Sequence, residues 1–82
     1  MMLTTKQVRA IAKAAGFATA TYLEKTSDEQ RRSVVWQLNA TDAANLEAAF
    51  KAQFAQLGAT NTVKRTGVVT WCNYVRVMAH IA

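Results

Sequence analysis

Residues 62–81, TVKRTGVVTWCNYVRVMAHI, hold the densest run of β-branched side chains in the chain together with Trp71 and Tyr74. Taken at helical spacing, Val63, Gly67, Trp71, Tyr74, Met78 and Ile81 fall on one side and Lys64, Arg65 and Arg76 fall elsewhere, the pattern of a helix with a buried face. The valines and threonines also suit a strand. Alternation, however, puts Asn73 in one row with Trp71 and Val75, and Arg76 in the other with Tyr74 and Met78. Neither row is cleanly apolar, so the spacing predicts a helix over 62–81, with Gly67 either allowing a close helix contact or dividing the element.

Outward from this stretch, the chain reads as further helices. Thr41 is placed to cap a helix from Asp42 to about Leu57 that Gly58 closes, and Leu46, Phe50, Phe54 and Leu57 recur at spacings of four, four and three. Upstream, Ser27 with Gln30 three residues later forms a capping-box pattern, and Asp28 and Glu29 suit a helix N-terminus, predicting a helix from Asp28 to about Asn39. Val34, Val35 and Leu38 would face inward there, with Trp36 at the edge of the stripe and Arg31 and Arg32 exposed. At the start, Thr4 and Gln7 form another capping box and Leu3 and Val8 a hydrophobic staple. This predicts a helix to about Ala15, ended by Gly16. Its inward stripe is Val8, Ile11, Ala12 and Ala15, and Lys6, Arg9 and Lys13 form a basic row on another side.

Composition agrees with helices joined by short turns: the 82 residues include no proline and three glycines, and there is no internal repeat, linker or low-complexity tract. A chain of this length forms one domain, spanning residues 1–82, and buries only about 60 to 65 % of its unfolded surface. Phe17, Tyr22, Trp36, Phe50, Phe54, Trp71 and Tyr74 are therefore its main core candidates. The fold expected is all-α, a compact bundle of four main helices with a short helix after Gly16.

The formal net charge of +5 favours an acidic partner, nucleic acid being the commonest. Cys72 is the single cysteine, so an intramolecular disulfide is excluded and a reducing, cytoplasmic setting is expected. No apolar run approaches the ~20 residues of a membrane helix, and no membrane partner is expected. No catalytic constellation assembles: on a helix, His80 and Cys72 would lie about 12 Å apart at 1.5 Å per residue, and the carboxylates show no pairing beyond Asp28 and Glu29. No enzyme activity, cofactor or metal site is expected.

The segment Lys6 to Lys25, KQVRAIAKAAGFATATYLEK, resembles the helix-turn-helix of bacterial repressors such as the LacI family, most closely over Ile11 to Thr21. Ala12 is small where two helices would cross, Gly16 turns the chain, and Phe17 follows as the apolar plug. The resemblance implies a recognition helix from Ala18 to about Lys25, with Thr19 near base edges in a major groove. The chain departs from the pattern at Glu24, where a DNA contact is common, and at Lys25, where an apolar anchor is usual. Charge and resemblance together imply a small DNA-binding or transcription-regulating protein, with a homodimer allowed, that uses Lys6, Arg9, Lys13, Thr19 and Lys25, with Arg31 and Arg32 as added phosphate contacts. The alternative is an inhibitor of the kind phages and mobile elements encode, including anti-CRISPR proteins, that binds a host protein–nucleic acid complex. An exposed Trp36 beside Arg32 would be its anchor.

Overall fold

The structure is a computed structural model that describes residues 1–17, 22–25, 32–66 and 74–81. Its elements are α1 (Thr5–Ala14), β1 (Tyr22–Lys25), β2 (Arg32–Leu38), α2 (Ala40–Leu57), β3 (Val63–Arg65) and β4 (Val75–Ile81). The strands form one antiparallel sheet in the order β1-β2-β4-β3, and both helices pack on one face of it. The described residues thus make a mixed α/β fold with both helices on one face of the sheet, and the expected all-α bundle of four main helices is incorrect.

Both expected helices that survive carry strong local signals. In α1, Thr4 Oγ1 accepts from Gln7 N at 3.3 Å while Gln7 Oε1 accepts from Thr4 N at 2.9 Å, a complete capping box. The chain leaves this helix through Gly16 at φ 95°. In α2, Asn39 rather than Thr41 is the cap, its Oδ1 accepting from Asp42 N at 2.8 Å. Gly58, left-handed at φ 67°, ends α2.

The described parts of the other expected helices are mostly strands, and Ser27 to Arg31, with the expected capping box, lie outside the described residues. Arg32–Leu38, expected as the second half of a helix from Asp28, pairs along its whole length with Val75–Ile81, expected as the end of the last helix. Tyr22–Lys25, expected in the short helix after Gly16, pairs with β2. Within β4 the alternation is clean: Val75, Val77, Ala79 and Ile81 are buried, and Arg76, Met78 and His80 between them are half-buried. A helical reading of 62–81 joins two strands and the residues between them into one period. In the fold Val63 and Ile81 face the core, Met78 lies on the opposite face of the sheet and Tyr74 is exposed. Gly67, Trp71 and Cys72 lie outside the described residues.

The core forms between the helices and the inner face of the sheet. Val8 and Ala12 of α1, Ala43, Leu46, Phe50 and Phe54 of α2, and Val34, Trp36, Val75, Val77, Ala79 and Ile81 of the sheet make one buried cluster. Trp36 meets Phe50 with ring centroids 5.2 Å apart, and Phe50 stacks on Phe54 at 5.3 Å. Fully burying such side chains contributes roughly 1.5 to 3 kcal/mol each. The indole Nε1 of Trp36 is buried without a hydrogen-bond partner among the described residues, so Trp36 serves the core through apolar area. Phe17 packs partly against the cluster.

Asn61 ties the start of the chain to the sheet. Buried, it accepts from Leu3 N at 2.7 Å through Oδ1 and donates through Nδ2 to Leu3 O at 3.2 Å and His80 O at 2.8 Å. These bonds satisfy the backbone N–H and C=O of Leu3, whose side chain is seated in the core. They also position α1, whose first turn begins directly after Leu3.

The order helix, strand, strand occurs twice, and its two sheet halves meet at β2 and β4. Val35 opposite Met78 is the middle of the seven pairs joining them. An approximate two-fold axis through that pair would generate this topology. The repetition is one of elements and not of residues, in keeping with a sequence that shows no repeat.

Candidate nucleic-acid interface

The basic row of α1 stands as its spacing predicts. Lys6, Arg9 and Lys13 are all exposed on a helix that contains no acidic residue. Val8 and Ala12 turn inward, and Lys6, Arg9 and Lys13 fall together on another side of the helix. Lys13 also lies in the last turn, where a cation interacts favourably with the helix dipole. Among the described residues no carboxylate comes within ion-pair distance of any of the three.

Cations elsewhere are differently placed. Glu47 of α2 lies 3.9 Å from both Lys51 and Arg65, so one carboxylate is shared between two positive charges on that side. Arg32 is exposed at the start of β2, with its Cα opposite Lys25 in β1 and Ile81 in β4. That is the end of the sheet to which Leu3 is tied through Asn61 and His80. Lys25 thus closes a strand and not a recognition helix. Thr19 and Arg31 lie outside the described residues.

Trp36 cannot serve as an exposed anchor. It is 1 % exposed, beneath α2, because β2 alternation turns Val34, Trp36 and Leu38 to the helix side. Read as a helix, the same residues put Trp36 at the edge of the inward stripe; read as a strand, they put it at the centre.

One contact has no counterpart among the sequence expectations. Ser33 Oγ and His80 Nδ1 share a hydrogen bond of 2.7 Å across the β2–β4 pair. Alternation within β4, which puts His80 on the same face as Met78, is the signal that could have suggested it. A nucleophilic serine must reach substrate, and Ser33 is fully buried, so the bond joins two strands on the outer face of the sheet. Among the described residues no three metal-ligating side chains come together.

Beside the basic row, the surface between α1 and α2 dips into a groove of about 410 Å³. Ala10, Ile11 and Ala14 line one side and Ala49, Ala52 and Gln53 the other. Ala10 lies four residues after Lys6 and three before Lys13, so these two cations flank the α1 side of the groove. Among the described residues no helix is long and apolar enough to cross a membrane.

Among the described residues, fold and surface define a mixed α/β domain in which α1 is the cationic helix. No family model matches the sequence, and neither the curated proteins nor the solved structures yield a significant match.

Proposed function

We propose that the protein is a small, non-enzymatic nucleic-acid-binding protein that contacts its partner through α1, in a cytoplasmic setting. The observation that carries this reading is the row of Lys6, Arg9 and Lys13, exposed together on one helix without a neutralising carboxylate among the described residues. Phosphates attract such a row and release condensed counterions on contact, which makes binding favourable and sensitive to salt. Arg32 adds a cation at the end of the sheet where α1 begins. The test is fluorescence anisotropy of labelled duplex DNA at low and physiological salt, with the wild-type chain and the Lys6→Glu/Arg9→Glu/Lys13→Glu variant. Salt-sensitive binding that the variant loses is the expected result, and failure to bind even at low salt refutes the reading.

A second reading draws on the groove between the helices. A phage-type or mobile-element inhibitor, anti-CRISPR-like in scale, would seat an acidic segment of a host complex there, with Lys6 and Lys13 at its edge. Its signature is a discrete complex with a protein that persists at salt concentrations that release DNA, and that Ala14→Trp disrupts.

A further inference from the structure

We propose, resting on the nucleic-acid reading of α1, that this helix takes duplex DNA by its phosphate backbone and is indifferent to base sequence. Lys6 and Lys13 are seven residues apart, about 10.5 Å along a helix at 1.5 Å per residue. Each strand of duplex DNA presents a phosphate about every 3.4 Å along its axis. A row held straight by the helix therefore spans about three phosphate steps of a regular, stiff ligand. The helix is anchored at both ends, by its capping box and by the turn at Gly16, so the row is ordered before it binds.

The same helix is poorly equipped to read bases. Paired recognition of adenine needs a free amide oxygen and nitrogen. The one amide on α1 belongs to Gln7, and its Oε1 is engaged by Thr4 N at 2.9 Å. Breaking that bond would uncap the helix that carries the row. Ala10 and Ala14, next to the cations, allow close approach of the backbone but offer no polar group. Single strands are usually held by aromatic stacking in addition to charge; α1 has no aromatic residue, and Trp36 is buried. Arg9 is the one guanidinium on α1, and its rigid fork offers guanine two parallel donors in fixed geometry, which makes its replacement by lysine informative.

The experiment is anisotropy of the whole chain with labelled duplexes of one length and contrasting sequence, a single strand, and an RNA duplex, over about 50 to 200 mM salt. The three cations of α1 predict a slope of about −2.7 or steeper for log K against log salt, a loss of at least about 40-fold across that range. Affinities for the DNA duplexes should agree within about threefold, and each should exceed that of the single strand. Lys13→Gln should lower the slope by about one, equally for every duplex. Arg9→Lys should stay within about threefold of wild type, because lysine keeps the charge and loses only the rigid fork of donors. A preference above about 30-fold for one sequence, or a loss in Arg9→Lys confined to guanine-containing sites, overturns the proposal while leaving nucleic-acid binding intact. Tighter binding of the single strand or of duplex RNA overturns the assignment to duplex DNA. Absence of binding to every probe at low salt removes the underlying reading, and this one with it.

Discussion

Helix α2 turns Ala43, Leu46, Phe50 and Phe54 into the core and packs against β2, β3 and β4, whereas α1 buries Val8 and Ala12 and packs against β2 and α2. Their surfaces differ in the same sense. On α2, Glu47 stands 3.9 Å from Lys51 and from Arg65, while α1 carries Lys6, Arg9 and Lys13 and no acid. Aromatic burial is concentrated on one helix and unneutralised charge on the other. Exposed charge contributes little to stability, and buried apolar area contributes nothing to attraction at a distance, so substitutions in the two helices should separate folding from binding.

The largest effect should come from α2. Phe50→Ala removes a ring that touches both Trp36 and Phe54, and a loss of about 3 to 5 kcal/mol in urea unfolding followed by circular dichroism is expected. A loss below about 1 kcal/mol would mean that α2 is not the main source of stability and would break the contrast.

A smaller change on α1 should touch both properties. Thr4→Ala removes the capping oxygen and should cost about 1 kcal/mol. Because Lys6 lies in the turn that the cap orders, DNA affinity should fall along with the unfolding midpoint. Unchanged affinity in a measurably destabilised variant would show that the row does not depend on an ordered first turn.

The smallest effect should follow Glu47→Gln. Its ion pairs are long and its partners largely exposed, so stability should change by no more than a few tenths of a kcal/mol. Removing the carboxylate frees positive charge on Lys51 and Arg65. If α1 alone holds DNA, affinity should rise less than about twofold. A larger gain would extend the binding surface onto α2 and sharpen the comparison against the present assignment.

The two helices are legible in the sequence because their signals are local. Thr4 with Gln7, the spacing of Leu46, Phe50 and Phe54, and Gly58 after Leu57 each act within a few residues. The basic row is legible for the same reason. The strands are not. RSVVWQL comes after a convincing helix-start pattern at Ser27 and Gln30, and VRVMAHI shares one helical window with residues that belong to a separate strand. Over four to eight residues an apolar run suits either conformation. Trp36 is misplaced along with its element, since a change of period moves a side chain from the edge of a face to its middle.

Sequence alone determined that α1 and α2 are helices, where α1 begins, where α2 ends and which side of α1 is charged, because a helix closes its hydrogen bonds with residues four positions away. Only the tertiary structure decided that Arg32–Leu38 and Val75–Ile81 are strands. Their backbone partners are each other, joined from Arg32 opposite Ile81 to Leu38 opposite Val75, and the chain between them is too long for either to specify its mate. Burial of Trp36 follows from that pairing together with the placement of Phe50 above it. Hydrogen bonds made across the chain are what turned the two most ambiguous stretches into the centre of the sheet.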